Sequence, residues 1–203
     1  MDFPSDKELK KKISVMDNGE PLVRIADACP GLSVYWKNLM VREGVAKRLV
    51  KANSYLPKGY CLRVTDAYRS MKKQKELYEG FRRTMKKRHP KWSSKKLNEY
   101  CTVYVADPGL APPHVTGGAV DVTVLGKNGR KLDMGPSNLS SASRTFSEKI
   151  SKKARNNRMI LVKAMKKAGF VNYPLEWWHW SYGDRLWAYC KKKNHAIYGN
   201  VIR

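Results

Sequence analysis

The sequence predicts an α+β domain, and three observations carry that class. Capped segments with helical spacing of apolar residues recur along the chain. The strand-like segments between them are short, and the clearest turn signal joins two of them as a hairpin rather than through a crossover helix.

Residues 1–18 hold Lys7, Lys10, Lys11 and Lys12 with few apolar anchors, and are expected to form a basic extension ahead of a single domain over residues 19–203. Val45, Leu49, Ala52 and Leu56 predict a helix from about Val41 to Leu56, stopped before Pro57 and Gly59. Tyr60 to Val64 reads as a strand. Ser70 then caps a helix running to His89, where Pro90 ends it, and Ser93 caps a second one reaching Val105. The proline-rich stretch Asp107 to Pro113 is a loop. Gly118 to Leu125 alternates as a strand, and Lys127-Asn128-Gly129-Arg130 predicts a hairpin back into Lys131 to Met134. A long basic helix is placed at Ser147 to Ala168, with Thr145 and Glu148 at capping-box spacing and Gly169 in the left-handed position after its end. Phe170 to Tyr173 and Trp177 to Tyr182 read as two short strands.

At 203 residues and 42% hydrophobic content, the chain can bury a core, which excludes disordered and collagen-like classes. The longest apolar run, Leu186 to Cys190, is far short of the ~20 residues that a membrane-crossing helix needs. The first residues lack the apolar core of a secretion signal, so a cytoplasmic location is expected. Cys29, Cys61, Cys101 and Cys190 are widely spaced, which favours buried free thiols over a zinc knuckle or redox pair. The 41 basic residues against 17 acidic ones leave a net charge of +24, concentrated in Lys72 to Lys96 and Arg144 to Lys167. Such basic helical faces suit nucleic acid, acidic lipid or an anionic polymer, but a solvated face without any ligand is at least as common, and charge sign alone selects no function.

Only four histidines exist, which narrows the search for a metal site. His114 and Asp121 are separated by Gly117-Gly118; fully extended, their side chains would stand ~23 Å apart, so only a turn at the glycines brings them onto one ion. Glu176 and His179 lie three apart within Glu176-Trp177-Trp178-His179-Trp180. A carboxylate crowded by apolar rings has its charged form disfavoured, which suits a proton shuttle. Two histidines and an aspartate make a three-ligand zinc site with an open position for water, and Glu176 is the natural partner to deprotonate that water. Arg69 stands where a strand gives way to a helix; a guanidinium fixed there could stabilise the oxyanion formed when water adds to an amide carbonyl, although by itself Tyr68-Arg69-Ser70 reads first as a loop with a surface arginine. Either cluster alone fits a packed structural role, but the two together favour a metal. His89 and His195 lack a partner carboxylate and read as surface residues.

Ala67-Tyr68-Arg69-Ser70, His114 to Asp121, Leu132-Asp133-Met134-Gly135 and Gly169-Phe170-Val171-Asn172-Tyr173 leading to Glu176-Trp177-Trp178-His179 resemble, in order and spacing, the D-alanyl-D-alanine dipeptidases of the VanX type, among the M15 zinc peptidases. The match spans about residues 60 to 190. The resemblance implies a small α+β domain with a central antiparallel sheet and one zinc per chain held by His114, Asp121 and His179. It also implies that Glu176 is the catalytic base and that Arg69 stabilises the tetrahedral intermediate. Two departures concern specificity. Pro112 stands where family members commonly carry a serine that helps bind the substrate amine, and Pro136-Ser137-Asn138-Leu139-Ser140 replaces a Thr-Pro-Phe-Asp pattern.

The expected function is a zinc dipeptidase acting on D-Ala-D-Ala or a related small dipeptide. One alternative is a murein peptide hydrolase held on anionic cell wall by its charge. Another is a basic nucleic-acid-binding module. The last is disfavoured because Trp36, Trp177, Trp178, Trp180 and Trp187 lie outside the two basic stretches, where stacking on bases would need them.

Overall fold

Alternation along three strands sets the architecture. Leu62 and Val64 of β5 (Cys61–Asp66), Val120, Val122 and Val124 of β6 (Ala119–Leu125) and Trp180 of β8 (His179–Ser181) all join the main hydrophobic core. The residues between them point to the opposite face, because successive strand side chains alternate. In this computed structural model, which describes residues 4–110, 112–137, 140–141 and 143–201, the sheet holding these strands has the order β3-β5-β6-β8-β7. Its edges are β3 (Ser33–Val34) and β7 (Val171–Asn172). The sheet is antiparallel except at one edge, where β3 runs parallel to β5. The expected central antiparallel sheet holds for β5, β6, β8 and β7, and the parallel edge arises because the chain between β3 and β5 passes through α3 (Glu43–Ser54), a connection long enough for a parallel return.

Helix α3 and helix α6 (Lys152–Lys167) cover the core face, with Leu49, Ala52, Leu161 and Met165 in the same cluster. The start of α6 differs from the expected Ser147. Ser151 caps it, accepting from the Ala154 amide, whereas the Thr145 hydroxyl is engaged by the Asn172 side chain. Gly169 takes the left-handed conformation after it, at φ 94°. The Lys127–Arg130 turn forms, but its return leg pairs with β6 only around Lys131. It is then drawn to α6, where Asn157 and buried Arg158 donate to the carbonyls of Asp133 and Met134. Asn138 and Leu139, in the segment that departs from the family pattern, lie outside the described residues.

The basic N-terminal segment packs rather than standing off as an arm. Helix α1 (Asp6–Lys12) opens with a Ser5/Glu8 capping box and buries Leu9; Ile13 follows it into the core, and β1 (Ser14–Val15) pairs in parallel with β9 (His195–Ala196). Leu9 and Ile13 are the apolar anchors that the lysines obscured in sequence.

Helices α4 (Met71–Arg88) and α5 (Ser94–Tyr104) form a hairpin capped by Ser70 and Ser93, as the spacing predicts. Its small core of Tyr78, Met85, Leu97 and Cys101 is separate from the main one. Four shorter strands and helices, β2 (Leu22–Arg24), α2 (Ile25–Ala28), β4 (Met40–Arg42) and α7 (Arg185–Cys190), and two 3-10 helices, Pro108–Leu110 and Pro113–Thr116, complete the order. Of the cysteines, Cys29 and Cys101 are buried, Cys61 is half-buried and Cys190 is exposed; all four are free thiols. No helix among the described residues is long and apolar enough to cross a membrane.

Candidate active site

The Gly-Gly turn does what the spacing requires. A short 3-10 helix, Pro113–Thr116, carries His114 and ends at Gly117, whose φ of 71° an L side chain rarely adopts. At Gly118 a Cβ would sit 2.5 Å from the Tyr182 carbonyl oxygen, so only glycine lets the chain enter β6 beside β8. Buried Arg42 braces this loop by donating to the Thr116 carbonyl at 2.9 Å while pairing with Asp17 at 2.7 Å.

Asp121 is the one position of β6 that is not fully buried, and it lies opposite His179 in the β6–β8 register. Its Oδ1 is 3.4 Å from His114 Nε2 and 3.1 Å from His179 Nδ1. These three ligand atoms all fall within 4.8 Å of one another. His114 Nδ1 is 2.7 Å from the Ala67 carbonyl oxygen, which can only accept, so Nδ1 carries the proton and the Nε2 lone pair faces Asp121. Two imidazoles and a carboxylate with their lone pairs converging in a buried place are the donor set of a catalytic zinc, and the residues present fit that ion.

Electrostatics agrees with the geometry. Burial alone would push the Asp121 carboxyl up, but the two imidazoles outweigh it and hold it well below the usual carboxylate range. Burial would push the His179 imidazole down, and the Asp121 and Glu176 carboxylates together reverse this and raise it. Glu176 Oε2 stands 3.9 Å from His179 Nδ1. Burial raises its carboxyl above the ordinary value, against the opposing pull of His179. The expected wall of indoles is only partly there. Trp177 and Trp180 turn into the main core, and Trp178 lines the cavity with Glu176.

Arg69 lines the same cavity of about 670 Å³ as His114, Asp121, Glu176 and His179. Its Nε and Nη2 donate to Asp66 Oδ2 at 3.0 and 2.7 Å, and Nη1 donates to buried Gln74 at 3.2 Å. Sequence reading missed Asp66 and Gln74. A register shift between Val64 and Asp66 inserts one extra residue into β5, so that Asp66 rather than Thr65 opposes Asp121. Such a bulge turns a side chain to the other face of a strand, and only the spacing of Asp66 to Arg69 hinted at the pairing. At 22% and 36% side-chain exposure, a pair like this adds only about 0–1 kcal/mol to stability, so its consequence is orientation of the guanidinium. His89 stacks on Trp92 with ring centroids 3.9 Å apart, and His195 lies in β9; both are half-buried and neither lines this cavity.

Residues 33–197 match the model of the Peptidase_M15 family, described as D-ala-D-ala dipeptidase. The chain belongs to this peptidase family. A D-alanyl-D-alanine dipeptidase of Synechocystis sp. is 29% identical over 89% of this chain and 85% of its own length. A D-alanyl-D-alanine dipeptidase of Escherichia coli is 33% identical over 37% of this chain and 40% of its own. Among solved structures, a mutant of the vancomycin resistance D,D-pentapeptidase VanY in complex with Zn(II) aligns over 91% of this chain and 96% of that one, at 17% identity and a TM-score of 0.46.

Proposed function

We propose that this M15 peptidase is a zinc-dependent dipeptidase that hydrolyses D-Ala-D-Ala or a related small dipeptide. In this reading His114, Asp121 and His179 hold one zinc, Glu176 is the general base and Arg69 stabilises the oxyanion. The observation that carries it is the convergence on Asp121 Oδ1 of two imidazole nitrogens at 3.1 and 3.4 Å, with the Glu176 carboxylate 3.9 Å from one of them, inside a single cavity. The family description and the name of the Synechocystis relative support the substrate class.

When bound, zinc supplies Lewis-acid activation of water and of the scissile carbonyl. Glu176 accepts the proton of the attacking water at Oε2 and returns it to the leaving amide nitrogen. Burial raises its carboxyl above the ordinary value, which favours taking up the proton it then passes on. Arg69 spends one N–H of each nitrogen on Asp66 and Gln74. One N–H on each terminal nitrogen is left for the oxygen on which charge develops. Because that oxygen is neutral in the ground state, the interaction favours the transition state.

A murein peptide hydrolase is the second reading, favoured by the hairpin beside the cavity. Leu77 and Phe81 of α4 line it, while Lys72, Lys73, Lys75, Lys86 and Lys87 of the same helix are exposed to an anionic polymer. Cytoplasmic action belongs to the first reading, and four free thiols suit a reducing compartment. Incubating purified protein with D-Ala-D-Ala, with its L,L counterpart and with intact peptidoglycan separates the two. Zinc-dependent cleavage of free dipeptide with peptidoglycan untouched is expected. Cleavage of peptidoglycan stems without dipeptide turnover would hand the site to the second reading.

A further inference from the structure

The cavity has a wall that the proposed mechanism does not use. Helix α1 contributes Asp6 and Leu9 to it, beside Pro4 and Leu186. The Asp6 side chain is half-buried and takes part in no hydrogen bond or ion pair among the described residues. The cavity's other carboxylates each have a partner: Asp121 has two imidazoles, Glu176 stands beside His179, and Glu76 lies 4.0 Å from Lys73 Nζ. Nor is Asp6 within ion-pair distance of any lysine, arginine or histidine among the described residues; Arg69, the one arginine lining the cavity, pairs with Asp66. A half-buried carboxylate without a partner loses hydration and gains nothing in return, unless a ligand supplies the partner.

Asp6 is also held in place. The capping box fixes the first turn of α1, Leu9 and Ile13 bury its apolar side, Lys10 Nζ donates to the Gly109 carbonyl at 2.9 Å, and Arg185 Nε donates to the Ile13 carbonyl at 3.0 Å. A charged group held this firmly at a cavity wall is preorganised for a ligand. The ligand's sign follows from the surroundings. Burial pushes the Asp6 carboxyl up, His179 opposes this, and Asp184 and Asp107 add to it, and a carboxylate in that position is complemented by a cationic group.

We propose that Asp6 anchors the α-ammonium group of the substrate, so that α1 restricts the site to short peptides with a free amino terminus. This rests on the dipeptidase reading and deepens it. A zwitterionic dipeptide brings the cation that Asp6 lacks, on the Cα next to the scissile carbonyl. An acylated or longer peptide has a neutral amide at that point and leaves the carboxylate unpaired.

Steady-state kinetics of zinc-loaded wild type, Asp6→Asn and Asp6→Glu on D-Ala-D-Ala and on N-acetyl-D-Ala-D-Ala test this, with zinc content measured for each. Asp6→Asn keeps the size of the side chain and removes its charge. Its KM for the free dipeptide should rise roughly 10- to 100-fold, as expected for losing a charge-assisted hydrogen bond, and kcat should fall by much less. The wild-type preference for the free over the acetylated dipeptide should collapse, zinc should stay stoichiometric, and Asp6→Glu should recover part of the preference. An unchanged KM and preference in zinc-loaded Asp6→Asn would overturn the role of Asp6 while leaving the dipeptidase reading intact. Wild type that turned over neither compound would overturn both.

Discussion

His114, Asp121 and His179 stand at a sheet whose opposite face is the main core, whereas Leu77, Phe81 and Val103, on another part of the same cavity wall, stand on two helices whose core is the separate cluster of Tyr78, Met85, Leu97 and Cys101. The first region is over-determined. Moving Asp121 means moving β6, which is paired on both sides, and moving His114 means breaking the Ala67 contact and the Arg42 brace. The second region meets the rest at Gln74, whose side chain donates to the Ala106 carbonyl and accepts from Arg69. Chemistry built on the sheet and a substrate wall built on a satellite hairpin should therefore be separable by mutation, because interactions in distinct packing units are close to additive.

The largest effect should come from the sheet side. His114→Ala removes one of the three proposed ligands, so the purified variant should lose stoichiometric zinc and fall to background hydrolysis. A His114→Ala protein that keeps one zinc per chain would show that the ion sits elsewhere. The next effect is on turnover alone. Arg69→Ala should lower kcat by roughly 100- to 1000-fold, the usual cost of one oxyanion donor, and retain zinc. Arg69→Lys should resemble it, since a point charge cannot hold Asp66 and Gln74 while also donating to the substrate. A change confined to KM would make Arg69 a binder of the substrate carboxylate. The smallest effect belongs to the hairpin. Met85 is 4% exposed, and Met85→Ala should destabilise its cluster by about 2–5 kcal/mol. Amide exchange in α4 and α5 should rise while zinc content holds and kcat stays within a few-fold. Zinc loss in that variant would join the two regions into one unit.

The same contrast explains what was legible in the sequence. Ser70 and Ser93 marked the hairpin helices because a capping hydroxyl acts on an amide three residues on, a local interaction. The two glycines before β6 foretold the His114–Asp121 approach because their conformational freedom is also a local property. What escaped reading is non-local. The bulge that turns Asp66 towards Asp121 depends on pairing with another strand. The late start of α6 reflects Thr145 bonding to Asn172, and the truncated return of the 127–130 turn reflects Asn157 and Arg158 drawing that segment away. Arg158 itself counted as part of a basic face, yet it is 1% exposed, and burial pushes its pKa down to about 10. Charge arithmetic on a helix cannot tell such an arginine from a solvated one. Nor does lysine-rich composition reveal that Leu9 and Ile13 dock the N-terminal helix against the core.

The proposed division of labour between the residues that hold zinc and the one that moves the proton is tested most directly by Glu176→Gln. Glu176 lies 3.9 Å from His179 and outside the three-residue ligand set. Zinc content and D-Ala-D-Ala turnover would be measured on the same preparation. The variant should keep one zinc per chain while turnover falls at least ~100-fold, the lower range for removing a positioned acid–base group. Near-normal turnover with zinc in place would contradict the account, and so would loss of the metal.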